Sequence, residues 1–362
     1  MSEQDTKDPK DPKDPRNVGR REILKTMAAG LALGGCAAGK ASDDRTVHLS
    51  EATAAQRARK FKGRSSVAII KVASYEEDIF AHIKPFIKLA ALPSLQGQTV
   101  VIKPNIVEIQ PGHPITTNPA MVKAAIELVD FLGAKKIIVA EGPGHMRDTE
   151  LLLLQSGIGP LLEKMGIPFC DLNLDDVIAT DNPDNFSGLN PVWLPETIAR
   201  ADAVISLPKM KTHHWVGMTC SMKNLFGTFP GRKYGWPKNT LHLHGIPNCV
   251  IDINQLVKPK FALVDAIVAM EGDGPIAGTG IDTGFVVLGC DLAAVDATCA
   301  RAMNFRPQDM TYIARAGQVL GNIDEREIDI HGASIAEVKR DFTKPITYYN
   351  KQLLAESANS GS

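Results

Sequence analysis

From Ser66 onward, short unbroken apolar runs alternate with longer stretches whose apolar residues recur at helical spacing. The runs at 67–72, 99–103, 136–140 and 202–207 are apolar almost throughout, as strands covered on both faces are. Between the second and third, residues 118–132 predict a helix. Asn118 stands at the N-cap and Pro119 at the first helical position, and Met121, Val122, Ala125, Ile126, Val129 and Leu132 share one face before Gly133 ends it. Further helices are expected at about 76–92 and 151–165, a short strand near 167–170 and a polar excursion at 171–190. A helix at about 250–257, strands at 261–264 and 285–288, helices near 292–303 and 309–316 and a last strand around Ile328 complete the pattern. The β-α-β order predicts an α/β fold with a mostly parallel sheet and helices on both faces. Its ligand cleft belongs at the carboxyl edge of the strands, and a smaller second α/β lobe is compatible with the pattern.

Charge sharpens this picture. The chain has a formal net charge of −1 over 362 residues, which argues against a general nucleic-acid binder. Yet the 49 residues between Asp202 and Asp252 hold no carboxylate, while Lys209, Lys211, Lys223, Arg232, Lys233 and Lys238 fall among them, with His213, His214, His242 and His244. Cations without internal partners pair with external anions, so a small anionic substrate or cofactor is the expected partner. Lys209, Lys211 and Lys223 are the first candidates to hold it, with Thr219 and Ser221 as hydroxyl donors beside Gly217. Lys103 and Asn105, at the end of the strand 99–103, are expected at the same edge, as is the Glu141–His145 turn.

The histidines invite a divalent metal, with His213, His242 and His244 as candidate ligands. His242 and His244 would share one side of an extended strand; ordinary hydrogen-bonded histidines explain the same pattern. Glu271 and Asp273 lie in a glycine-rich turn after a strand. They could act as an acid/base pair or as metal ligands, or be solvated loop acids. His213 and Lys223 complete the catalytic candidates. Walker, G-x-G-x-x-G, H-E-x-x-H and G-x-S-x-G patterns are absent at the required places. Five cysteines follow Cys36 without C-x-x-C spacing, which argues against an iron–sulfur cluster held by a local motif.

The N-terminus carries a Lys-Asp-Pro repeat, then Arg20-Arg21, a short apolar run at 27–35 and Cys36. This predicts a twin-arginine-type signal peptide over 1–35, read by the translocase, and export to the periplasm or cell envelope. Lipidation of Cys36, a membrane anchor through that lipid alone, and a flexible tether over 36–64 follow from the same reading. The main α/β domain is expected over 65–345 and a C-terminal tail over 346–362.

Five motifs together resemble the domain of unknown function 362 family: Val101-Ile102-Lys103-Pro104-Asn105, Thr117-Asn118-Pro119, Pro208-Lys209-Met210-Lys211-Thr212-His213, Ser221-Met222-Lys223-Asn224-Leu225-Phe226-Gly227 and Glu271-Gly272-Asp273-Gly274-Pro275. Many members of that family carry ferredoxin-type cysteine motifs, which this chain lacks. A shorter stretch, His213, then Gly217 to Lys223, then Pro230-Gly231, is similar to the N-terminal domain of nickel-dependent lactate racemases. That resemblance implies that Lys223 would carry a pyridine-derived nickel pincer cofactor and that His213, with His242 or His244, would bind nickel or move protons. Together these readings imply a metal- or cofactor-assisted enzyme, racemase-like or redox, acting on a small carboxylate- or phosphate-bearing molecule. The alternative is a non-catalytic envelope binding protein or redox-partner accessory.

Overall fold

A computed structural model describes residues 63–144 and 148–346. The expected signal peptide, Cys36 and most of the tether and tail therefore lie outside the described residues, as does His145. The strands are β1 (Ser65–Lys71), β2 (Thr99–Pro104), β3 (Lys136–Glu141), β4 (Phe169–Asp171), β5 (Val177–Thr180), β6 (Val192–Pro195), β7 (Ala203–Leu207), β8 (Lys209–His213), β9 (Gly217–Thr219), β10 (Phe261–Glu271), β11 (Thr279–Gly289) and β12 (Ile328–Gly332). All but β5 and β6 belong to one sheet, ordered β12-β1-β11-β10-β7-β2-β3-β4, with β8 attached to β10 and β9 to β8. The run from β10 through β7, β2 and β3 to β4 is parallel. Only β11 against its two neighbours, and β9 against β8, run antiparallel within this sheet.

Period-two alternation divides the strand side chains between two cores. Val100 and Ile102 pack on one face with Met121, Val122 and Leu128 of the helix Pro119–Phe131. Val101 faces the other way, toward a core shared with the helices Ile246–Val257 and Leu292–Ala302. Both faces are covered, so the α/β class with a mostly parallel sheet holds. The helix Pro119–Phe131 starts as its sequence requires, with Asn118 Oδ1 accepting from Ala120 N at 2.9 Å.

Several elements differ from expectation. The stretch 76–92 keeps only the helix Ile79–Ile83 and a 3-10 turn, Lys84–Phe86, because Pro85 offers no amide to continue the ladder. The stretch 151–165 splits into Thr149–Ser156 and Ile158–Met165 at Gly157, whose φ of 75° is left-handed. The excursion at 171–190 contains β5, which pairs antiparallel with β6 just beyond it. β10 runs far beyond Val264, pairing with β11 along its length. Its first part also pairs with β7 and its later part with β8, the register shifting within that pairing between Asp265 and Met270.

Candidate anion-binding cavity

Where β2, β3 and β8 end, their side chains meet over a cavity of about 310 Å³. β2 contributes Lys103 and, just beyond it, Asn105; β3 contributes Glu141; β8 contributes Lys211 and His213. The short helix Ser221–Asn224 adds Lys223 and Asn224. That helix is held from outside the cavity: the buried Asp296 carboxylate accepts from Ser221 N at 2.7 Å, Met222 N at 3.2 Å and the Ser221 hydroxyl. Lys238, which precedes the helix Asn239–Leu243, closes another side.

The floor is a buried ion pair. Lys103 Nζ lies 2.7 Å from Glu141 Oε2 and also donates to Pro104 O and to Asn224 Oδ1. Glu141 is further occupied by Ile106 N at 2.9 Å and Gly142 N at 2.8 Å. Gly227 lies directly over this pair; a Cβ there would collide with Glu141 Oε1 and sit 2.6 Å from Lys103 Cε.

Four lysines and a single carboxylate line the cavity among the described residues, and Glu141 is already committed to Lys103. Lys211 Nζ donates to Ile115 O at 2.8 Å, with no carboxylate in contact. Lys223 Nζ lies 4.1 Å from the Phe226 ring centroid, a weak cation–π contact. Lys238 Nζ donates to Gly142 O at 2.8 Å and Gly227 O at 2.9 Å. Burial disfavours each ammonium, and neighbouring ammoniums add to the effect. Lys211 is driven well below its ordinary value, first by desolvation and then by Lys223 and Lys209. Lys223 falls to about 8, through desolvation and then Lys103; Lys238 falls to about 7, through desolvation that Glu141 only partly offsets. Two buried polar atoms in the same wall, Asn105 Oδ1 and Thr219 Oγ1, have no partner among the described residues.

Rings form the mouth. Trp215 is half exposed and stacks edge-on with His214 at 4.6 Å and His242 at 4.8 Å, centroid to centroid. His242 in turn lies 6.1 Å from Phe226. His214 is fixed to the 272–275 loop, its backbone N and ring Nδ1 both meeting Gly274 O. Gly274 has to be glycine here, because a Cβ would collide with Thr212 O.

The structure therefore brings together Lys103, Asn105, Lys211, His213, Thr219, Lys223 and His242 from the residues expected at the site. The others stand elsewhere. Lys209 pairs with Asp265 at 2.8 Å and contacts Tyr75. Ser221 serves the Asp296 anchor. Glu271 accepts from Thr343 N at 2.7 Å and Asp273 from Ile346 N at 2.9 Å, so both acids hold the C-terminal segment. His242 and His244 do not lie on a strand: His242 is in the helix Asn239–Leu243 and His244 caps it. Residues two apart on a helix point in nearly opposite directions, and His244 Nδ1 meets Ser187 O at 2.8 Å. Sequence reasoning missed Lys238 and the counter-ion role of Glu141. Lys238 carried a signal in its place within the acid-free window.

A family profile for the domain of unknown function DUF362 matches residues 100–301, more than half of the chain. The chain belongs to this family. The DUF362 match spans the strands and helices that build the cavity. A thylakoid-associated protein of Synechocystis sp. is 28% identical over 258 residues, covering 69% of this chain and 78% of that protein. A solved structure, the lactate racemase apoprotein of Thermoanaerobacterium thermosaccharolyticum, is similar with a TM-score of 0.40 at 12% identity, covering 68% of this chain and 58% of that one.

The side chains themselves test the metal expected from sequence. Among the described residues no three His, Cys, Asp or Glu side chains gather into a metal-ligand group. His213 Nδ1 accepts from Trp215 N at 3.1 Å, which puts the proton of the neutral ring on Nε2. A ligating imidazole does the reverse, donating its second N–H to an acceptor. Burial, then Lys223, pushes His213 well below its ordinary value, so neutral is its resting form. The donor set of this DUF362 cavity therefore does not fit a metal held by these histidines.

Proposed function

We propose that the cavity binds a small carboxylate- or phosphate-bearing molecule and acts on it as an enzyme. One observation carries the reading: Lys211 and Lys223 line one cavity without a free carboxylate to pair with among the described residues. Burying an unpaired ion costs several kcal/mol, roughly, even after relaxation. An anionic ligand supplies the missing charge and returns both lysines toward their ordinary protonation. Thr219 Oγ1 can donate to the same anion, Asn105 Oδ1 can accept from a ligand hydroxyl, and His213 Nε2–H can deliver or stabilise a proton.

Calorimetric titration with oxalate, citrate and inorganic phosphate tests the reading. At least one of them is expected to bind, and the double variant Lys211→Met/Lys223→Met is expected to lose that binding while remaining folded. Undiminished binding by the folded double variant would refute it. A second reading, a binding protein without chemistry, draws on Glu141: the cavity carboxylate is fully occupied and so does not stand ready as a base. Mass analysis of the recovered ligand distinguishes the two, an altered molecule favouring the enzyme.

Export by the twin-arginine route, with Cys36 as lipid anchor, belongs to the same proposal and is supported by the sequence pattern alone. Changing Arg20 and Arg21 to lysine is expected to retain the chain in the cytoplasm. Cys36→Ser is expected to release it from membranes after export.

A further inference from the structure

The three cavity amines without a carboxylate partner differ in how their protons are used. Lys211 has one carbonyl acceptor, and Lys223 faces a ring. Lys238 has two, Gly142 O and Gly227 O, one for each N–H of a neutral amine. With both N–H groups so bound, the remaining tetrahedral direction of Nζ carries the lone pair. The same two carbonyls would leave an ammonium with a third N–H and no carboxylate in contact among the described residues. The side chain is 1% exposed and lines the cavity, so its reach is into that space rather than to bulk water. Its backbone is left-handed, φ 66° and ψ 42°, a conformation that costs a non-glycine residue about 1–2 kcal/mol. The fold keeps a lysine where glycine or asparagine would sit with less strain.

We propose that Lys238 forms an imine with a carbonyl-bearing anion, a 2-oxo acid, whose carboxylate is held by Lys211 and Lys223. This rests on the anion-binding reading above and adds a covalent step to it. The Nζ lone pair adds to the carbonyl carbon, both amine protons leave with the carbonyl oxygen as water, and a C=N bond replaces C=O. No oxidant or reductant is required. Once formed, the imine withdraws electrons from the substrate's neighbouring bonds, which is the use of lysine nucleophiles desolvated beside other cations. Depression of the amine to about 7 supports the assignment: at pH 7 about half of it is free base, against about one part in 3,000 for an ordinary lysine.

The test uses the full chain with pyruvate or glyoxylate and sodium cyanoborohydride, followed by digestion and mass mapping. Oxalate, which resembles a 2-oxo acid but lacks a ketone or aldehyde carbonyl, is titrated calorimetrically in parallel. One reduced adduct per chain on Lys238, absent from Lys238→Met and formed faster as pH rises through about 7, is the expected result. If oxalate binds and no adduct forms, or the adduct maps to another lysine, the imine assignment is overturned and anion binding stands. If oxalate, citrate and phosphate all fail to bind, the anion-binding reading falls and the imine with it. Mapping on the unaltered chain decides the matter even should Lys238→Met fail to fold.

Discussion

Replacing Lys223 by Met removes an ammonium while keeping a long unbranched side chain against Phe226. The Lys223 amine lies at about 8 in the folded chain and at 10.5 in its ordinary state, a difference of about 2.5 pH units. At 1.36 kcal/mol per unit this is about 3 kcal/mol. Lys223 is only partly buried, so screening within the cavity reduces it to about 2 kcal/mol. Because the folded value is the lower one, the unfolded chain holds this proton more tightly. The ammonium therefore destabilises the fold fully below pH 8, and the penalty fades as pH rises from 8 to 10.5. Lys223→Met is expected to raise the anion-free melting temperature at pH 7 by about 4 °C, taking about 2 °C per kcal/mol for a chain of this size. The gain should vanish above pH 10.5. Anion affinity should fall at least about tenfold, the equivalent of one lost charge-assisted contact. Differential scanning calorimetry across pH and isothermal titration measure the two effects. A lower melting temperature with anion affinity intact would refute the reasoning, because Lys223 would then be a structural cation.

Lys103→Met removes the floor cation and leaves Glu141 buried with only backbone donors; urea unfolding should show a loss of about 3–5 kcal/mol, largely restored by adding Glu141→Gln. Anion binding near pH 8.5 should take up protons, since it moves Lys223 from about 8 back toward 10.5. Affinity then declines as pH rises above about 8, by up to about tenfold per unit, and heats measured in two buffers of different ionisation enthalpy report the uptake. Gly227→Ala forces a methyl group onto Glu141 and Lys103; it should cost about 1–3 kcal/mol and abolish binding together, measured by thermal melting and titration.

Much of the sheet was legible because its strands are continuous apolar runs and its best helix has both a cap and a stripe. The antiparallel insertion of β11 was hidden, since its buried apolar end, residues 285–289, carries no mark of its direction. Lys211 and Lys223 could be read from missing carboxylates within one segment, and Lys103 from its place at a strand end. Their charge balance could not, because Glu141 lies far upstream of Lys211 and Lys223 and its engagement is set by the fold. Glu271 and Asp273 read as chemistry because two acids in a glycine turn look exposed. Their partners, the amides of Thr343 and Ile346, are main-chain groups that any sequence would supply. The placement of His242 and His244 failed on period: spacing of two has opposite meanings on a strand and on a helix.

β8 follows β7 along the same sheet and is held there by the later part of β10. Along it Met210 enters the apolar core, while Lys211 and His213 enter the cavity. The two sets of side chains are interleaved in sequence yet answer to different demands. Substitutions at 211 and 213 can therefore change the cavity lining without repacking what folds, and a change at 210 does the opposite. The chemistry of the cavity in this architecture is adjustable one alternate residue at a time.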